Sequence, residues 1–203
     1  MLKKFFILAS LVLVMCSFTG TINYFNGTIT YEIKYESNDP VTSTEILAKT
    51  NGDTMKLTFK GTGYLEVYNG TTLLSKGYSF GDDIGTIWVR KSPSSVVSSD
   101  YNGFNPNEAL KSIEQKTSTE KILDIGTTLI SVTAEPANDG EEHFTKRDYY
   151  FSDDLFFQDG TFKNCKYNSY DQIYSKTNTL PLKMVFENDA YKVTYTAIKI
   201  ESN

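Results

Sequence analysis

Residue types able to do chemistry are few in this chain, and their spacing limits what they can do. His143 is the sole histidine, and it follows Glu141 and Glu142. A Ser-His-Asp relay and a two-histidine metal site each need partners that the chain lacks. His143 therefore reads as a surface residue near a turn, since a general base needs a positioned partner. Acid pairs stand at Asp82-Asp83 and Asp153-Asp154. Neighbours on a strand point to opposite faces, so such a pair does not converge on one atom. In loops they could bind Ca²⁺, but no EF-hand spacing follows, and solvated loop charge is the expected role. A hydrolase built on loop carboxylates would need two of them converging in a cleft, at about 5 Å for a retaining glycosidase, a distance that chain spacing does not set. Cys165 stands beside Lys166. A nearby cation can activate a thiol, but no histidine is near in sequence, so Cys165 reads as structural. Asn26-Gly27-Thr28 and Asn69-Gly70-Thr71 match the glycosylation sequon and are equally turn signals. No catalytic, cofactor or metal motif emerges, and a non-enzymatic protein without a cofactor is expected.

The N-terminus carries an address. Met1-Leu2-Lys3-Lys4 is a basic start, and Phe5 to Met15 is an apolar run too short to span a bilayer. Small residues follow at Ser17, Thr19 and Gly20. Residues 1–20 are read as a signal peptide and 21–203 as one domain. Cys16 offers a lipidation alternative: Leu13 fits the third position before such a cysteine, whereas Met15 directly before it does not. Loss of Lys3 and Lys4 with the leader takes the net charge from −5 to −7. That balance argues against nucleic acid or an anionic membrane surface as partner. Membrane attachment is expected only through a lipidated Cys16. Without the leader Cys165 is the only cysteine, so an intramolecular disulfide is excluded and the core must carry stability.

The elements that would position any site read as strands. The chain holds 14 Tyr and 13 Phe, residues suited to a pleated, half-buried surface. Ile29, Tyr31, Ile33 and Tyr35 alternate with Thr28, Thr30, Glu32 and Lys34. From Leu180 to Ile200, a turn at Asn188-Asp189 would set Phe186 against Tyr191, Met184 against Val193 and Leu182 against Tyr195. A hairpin at Asn51-Gly52 would set Ala48 against Met55, Ile46 against Leu57 and Thr44 against Phe59. A further turn is expected at Asn69-Gly70, a short strand over Thr86 to Lys91, and an exposed loop over Ser92 to Asp100. Further strands are read at Thr119 to Leu123, Thr127 to Ala134 and His143 to Phe151, with no clean apolar pairing across Asn138-Asp139-Gly140. Asn105 as N-cap, Pro106 at the first helical position and Glu108 at N3, with Ala109, Leu110 and Ile113 as a stripe, predict a helix over 105–115. In the last strand the apolar phase shifts between Ala197 and Ile198, as a β-bulge would cause.

Met55, Leu57, Phe59, Leu182, Met184, Phe186, Tyr191, Val193 and Tyr195 would then line one face of the sheet. One helix covers little of so large a sheet, which leaves room for a hydrophobic ligand. The fold class is all-β: a curved antiparallel sheet forming a half-open β-barrel with one or a few short covering helices.

Two segments carry a family resemblance. Phe25-Asn26-Gly27-Thr28-Ile29-Thr30-Tyr31-Glu32-Ile33-Lys34-Tyr35 follows the leader, and Pro181-Leu182-Lys183 opens a hairpin into a last strand ending Ala197-Ile198-Lys199-Ile200-Glu201. The pattern resembles cell-envelope proteins of Gram-negative bacteria with a LolA-like or LppX-like fold. That resemblance implies an incomplete barrel around a hydrophobic cavity, and a carrier of lipid or lipoprotein acyl chains across the periplasm. The expected protein is thus an exported monomer of the periplasm or outer envelope, binding a hydrophobic ligand. The alternative is a structural or adhesive β module at the envelope.

Overall fold

Strand β1, Gly27–Ser37, sets the pattern for the whole sheet. Ile29, Tyr31 and Ile33 are buried while Glu32 and Lys34 are exposed, so the period-two alternation of the sequence is the alternation of the structure. The computed structural model describes residues 23–60, 63–72, 74–80, 85–92, 95–99, 108–136, 143–158 and 160–203. The leader, Cys16, the Asp82-Asp83 pair, Asn105-Pro106 and the Asn138-Asp139-Gly140 turn lie outside the described residues.

After β1 come helix α1 (Thr44–Asn51), β2 (Thr54–Lys60), β3 (Gly63–Tyr68), β4 (Ser75–Phe80), β5 (Gly85–Ser92) and β6 (Ser95–Ser99). Then follow β7 (Glu108–Ile122), β8 (Ile125–Pro136), β9 (Lys146–Phe156), a 3-10 turn at Tyr167–Ser169, α2 (Tyr170–Tyr174), β10 (Thr179–Glu187) and β11 (Tyr191–Ser202). The eleven strands among the described residues form one antiparallel sheet in the order β6-β5-β4-β3-β2-β1-β11-β10-β9-β8-β7. The first and last strands meet at its centre, and two meanders run outward from them.

The sheet is open but cannot be flat. Its edges are β6 and β7, which follow one another in sequence. The chain from Ser99 to Glu108 reaches at most about 32 Å when fully extended. Eleven flat strands would hold the edges about 48 Å apart. The sheet must curl, and the result is a half-open barrel. Its inner face carries the core, including Ile29, Tyr31, Met55, Leu57, Phe59, Leu182 and Val193, each at most 5% exposed. The Tyr31 hydroxyl donates to the Pro181 carbonyl at 2.6 Å, reaching across β11 to β10.

Four expectations need correcting. The Asn51-Gly52 hairpin is the end of α1 instead. Ser43 caps its start by accepting from the Ile46 N–H, and Gly52, at φ 96°, ends it by donating to the Ala48 carbonyl. An Asn-Gly pair serves either a hairpin or a helix end, because both need a positive φ. Gly70 packs against this end so closely that a Cβ would stand 2.4 Å from the Thr50 carbonyl oxygen. The helix expected over 105–115 is strand β7 from Glu108 onward. A register shift between Leu110 and Ser112 lets Leu110 pair with Ala134 and Ile113 with Val132. A bulged strand thus produced the same three-residue apolar spacing as a helix. The Ser-rich segment expected as a loop contains β6, paired with β5. In the last hairpin the turn sits one residue later. Asn188 N–H donates to the Tyr191 carbonyl at 3.1 Å, and Asn188 Oδ1 accepts from Ala190 and Tyr191 N–H. Phe186 therefore pairs with Val193 and Met184 with Tyr195. This moves each pair by two residues and leaves every side chain on its expected face.

The phase change in the last strand is a bulge. Thr30 pairs with Lys199 and Tyr31 with Ala197, so Ile198 has no opposite number and is 52% exposed. The turn expected at Asn69-Gly70 connects β3 to β4, and Asn69 itself is structural: its Oδ1 accepts from Asp53 and Thr54 N–H at 3.0 Å.

Candidate functional site

The nine residues expected to share an apolar face do share one, and all belong to one hydrophobic cluster. The interior divides them into two groups. Leu57, Phe59, Leu182, Tyr191 and Val193 are buried at 6% exposure or less. Met55, itself buried, and the half-buried Met184, Phe186 and Tyr195 line a cavity of about 260 Å³.

What separates the groups is a plug formed by the segment between β9 and β10, which the sequence pattern alone did not place. Phe157, Phe162, Cys165 and Ile173 from this segment are buried. Phe162 stacks on Tyr174 with ring centroids 4.0 Å apart, and Phe157 meets Phe162 edge-on at 5.1 Å. Aromatic pairs in these geometries add to the burial itself. Cys165 sits in this plug as the structural residue it was expected to be, and burial pushes its thiol up to about 12. A more open cleft of about 490 Å³ lies on the plug's outer side, lined by Phe157, Phe162, Tyr174, Lys163 and Lys176 among others; both lysines are exposed.

The smaller cavity has an apolar floor and a polar wall. The floor is Met55 from β2, Met184 and Phe186 from β10, Tyr195 from β11 and Phe144 ahead of β9. Glu66, Tyr68 and Lys76 from β3 and β4 stand in the wall on one side, and His143, Arg147 and Tyr149 on the other, with Tyr167, Asn168 and Tyr170 above. The Tyr68 hydroxyl donates to Glu66 Oε2 at 2.7 Å. Burial pushes the Glu66 carboxyl up, while the Lys76 ammonium and this hydrogen bond pull the other way. Burial also raises the phenols of Tyr149 and Tyr170, which stay protonated.

Behind the wall is a buried charge cluster. Glu108 Oε1 accepts from Arg147 Nη2 and from Ser169 Oγ, each at 2.5 Å. His143 Nε2 stands 3.3 Å from Glu108 Oε2. Arg147 Nη1 donates to the Asn168 carbonyl at 3.3 Å. Burial works against the Arg147 charge, but Tyr149, Glu108 and Tyr170 around it hold its pKa above the ordinary arginine value. Asn168 and Ser169 both adopt left-handed conformations, φ 52° and 56°, to meet these partners. Such backbone persists where surrounding contacts hold it. The cluster therefore ties the plug to the edge of the sheet.

His143 is thus not a surface residue: its side chain is 10% exposed and faces a carboxylate that is 0% exposed. Glu108 is likewise no capping-box residue but the centre of this cluster. The two were misread for different reasons: Glu108 because bulged β7 carries helix-like spacing, and His143 because the pairing of β8 with β9 was left open by the sequence. The signal was present. Arg147, Tyr149 and Phe151 alternate onto the inner face, opposite Val132, Ile130 and Thr128, so an arginine stands where the pattern calls for an apolar residue. On β3, Glu66 does the same opposite Leu57. Asp153 and Asp154 are exposed and do not reach the cavity, and Asp153 Oδ1 accepts from the Thr128 hydroxyl at 3.2 Å. No group of three or more His, Cys, Asp or Glu side chains that could hold a metal ion occurs among the described residues. Nor is any described helix long and apolar enough to cross a membrane.

No protein-family model matches the chain, and a search of curated proteins finds no match. Among solved structures the chain is similar to LprF from Mycobacterium bovis, at 11% identity over 86% of this chain and 85% of that one, with a TM-score of 0.34. It is similar to a domain from Vibrio parahaemolyticus designated outer membrane lipoprotein-sorting, at 12% identity, 87% and 86% coverage and a TM-score of 0.37. A DUF1329 family protein from Desulfovibrio piger is similar at 8% identity, 88% and 86% coverage and a TM-score of 0.33. What the cavity can hold rests on its own geometry.

Proposed function

We propose that this is an exported binding protein of the cell envelope, not an enzyme, which holds the hydrophobic part of a lipid or lipoprotein acyl chain inside its half-barrel. The single observation that supports this is the cavity floor of Met55, Met184, Phe186 and Tyr195. These side chains sit on the inner face beside the packed core, where Met55 is buried and Met184, Phe186 and Tyr195 are only half-buried, with Tyr167, Asn168 and Tyr170 of the plug standing across the cavity from them. Apolar area left uncovered beside a core is what a hydrophobic ligand would bury, at about 0.8 kcal/mol for each methylene. Unbranched methionines suit a ligand of variable shape, because they repack easily. At about 260 Å³ the space is below the usual range for drug-sized ligands, roughly 300–1,000 Å³, which favours one chain over several. Export follows the reading of residues 1–20 as a signal peptide, with residues 21–203 as the mature domain, acting as a monomer.

The test is native mass spectrometry of the mature protein purified from its own envelope, followed by organic extraction. One lipid or acyl chain per protein is the expected result, and its mass identifies the ligand class. A clean apo mass together with no uptake of a fluorescent fatty acid would overturn the reading and move the weight to a structural β module. The same spectrum decides whether the mature chain begins at an acylated Cys16.

A further inference from the structure

Glu66 on β3 and Lys76 on β4 are cross-strand partners, and both line the cavity. They interrupt an inner face that carries the core: Glu66 also stands opposite Leu57, which is 5% exposed. Elsewhere in the sheet such partners close on one another. Glu36 and Lys192 are opposite across β1 and β11 and meet at 2.8 Å. Glu187 and Lys146 are opposite across β10 and β9 and meet at 3.7 Å. Glu66 and Lys76 hold the same relation, yet they attract each other without a direct contact. Each is steadied by Tyr68 instead. The Tyr68 hydroxyl donates to Glu66 Oε2 at 2.7 Å, and the other carboxyl oxygen takes no hydrogen bond from a described residue. Lys76 Nζ stands 5.9 Å from the centre of the Tyr68 ring and gives no hydrogen bond to a described residue. An acceptor and a donor of opposite charge are thus left open, side by side, beside an apolar floor. Inward charges without direct partners are costly, so an open pair in a cavity wall points to groups that a ligand supplies.

We infer that the cavity takes a single-chain lipid with a zwitterionic phosphate–amine head, its phosphate held by Lys76, its ammonium by Glu66, and its chain laid over Met184 and Phe186. The inference rests on the binding reading above and names the ligand's head. Charge-assisted bonds are about twice as strong as neutral ones, and two of opposite sign fix the direction of the head. They also select it. A purely anionic head on Lys76 would stand beside Glu66, and a purely cationic head on Glu66 would stand beside Lys76, so each would meet a like charge. The other charges of the wall do not compete. Arg147 gives Nη2 to Glu108 and Nη1 to Asn168, and it is also hydrogen-bonded to Tyr149. His143 Nε2 faces Glu108 at 3.3 Å. An ammonium beside Glu66 would join Lys76 and the Tyr68 bond in favouring the ionised carboxylate against its burial.

Titration of the delipidated wild-type protein with four probes of equal chain length, each below its micelle concentration, tests this: dodecyl phosphoethanolamine, dodecyl phosphate, dodecylammonium and dodecanol. The phosphoethanolamine should bind at least about tenfold more tightly than either singly charged probe, the difference expected for one charge-assisted bond. Lys76→Gln should remove its advantage over dodecylammonium, and Glu66→Gln its advantage over dodecyl phosphate, while dodecanol affinity stays in both. Folded variants that keep the wild-type preference would overturn the assignment. If a variant fails to fold, the wild-type head-group series decides alone. Equal affinity for all four probes would overturn the zwitterion site and leave the cavity reading standing. Tightest binding of a singly charged probe would also overturn it and assign the head to Lys76 or to Glu66 alone. No binding of any probe would overturn both.

Discussion

The same strands build two different interiors. On β2, Leu57 and Phe59 lie in packed core while Met55, two residues before Leu57, meets the cavity. On β10, Leu182 is fully buried while Met184 and Phe186, on the same face, are half-buried at the cavity floor. The strands do not differ in kind between these positions; their cover does. At one end Phe157, Phe162 and Tyr174 press on the sheet as a dry aromatic plug. At the other end Tyr167, Asn168 and Tyr170 of the same segment stand over a cavity whose wall carries charged and phenolic side chains. Core and candidate site are thus one apolar face, divided by how closely a single folded-back segment packs on it.

Breaking the plugged end should have the largest effect. Phe162→Ala removes a ring that is 2% exposed and stacked on Tyr174, and about 4 kcal/mol of stability should go with it, read as a lower urea midpoint. A loss below about 1 kcal/mol would mean that the plug does not anchor the fold. Next comes the tie between plug and sheet edge. Glu108→Gln leaves the Arg147 charge buried and uncompensated, at a cost of about 3 kcal/mol. Adding Arg147→Met should restore part of it, and a double-mutant cycle measures the coupling. If the double variant is no better than the single one, the pair is not a coupled unit.

The cavity end should yield less. Met184→Ala removes a half-buried side chain from a surface that is already partly uncovered, so about 1 kcal/mol is expected in the same urea experiment. An equal loss from Met184→Ala and Phe162→Ala would erase the distinction between the two ends.

Glu66 gives the cavity end its own pH signature. Its folded-state pKa is raised by burial, so between the ordinary carboxylate pKa and the raised one the native state binds more protons than the unfolded state. Stability must therefore fall as pH rises through that window. Glu66→Gln should flatten this limb of the profile, and an unchanged slope would remove Glu66 from the account.

The smallest perturbation is a reporter. Cys165 is 2% exposed in the plug, and its thiol is pushed up to about 12, so it should resist thiol reagents at pH 8 in the native protein and react on unfolding. Phe162→Ala should speed labelling and Met184→Ala should not. Labelling accelerated equally by both would show that the two ends open together.

Much of the fold was legible because it is local. Alternation along β1 assigned Ile29, Tyr31 and Ile33 to the interior, and the phase change at Ile198 announced the bulge that the register shows. The last hairpin kept its faces even though its turn lies one residue later, since a two-residue shift in pairing preserves side-chain direction. Where local signals had two meanings, the reading failed. Gly52 could end a helix or turn a hairpin. Leu110 and Ile113 could stripe a helix or flank a bulge. Intrinsic helix preference in this stretch yields to cross-strand pairing and to the buried partners of Glu108.

By itself, then, the sequence determined an antiparallel β protein with one apolar face, and which residues belong to that face, because a strand's side chains alternate wherever it is placed. Only the tertiary structure decided which part of the face is core and which is open. That division depends on a plug, the segment between β9 and β10, whose aromatic side chains find partners on distant strands. It also depends on a register between β8 and β9 that sets Arg147 inward, opposite Val132. The candidate site is therefore made of exceptions to the pattern, an arginine and a glutamate on an inward face, which become meaningful only once Glu108 and Tyr68 are brought to within hydrogen-bonding distance of them.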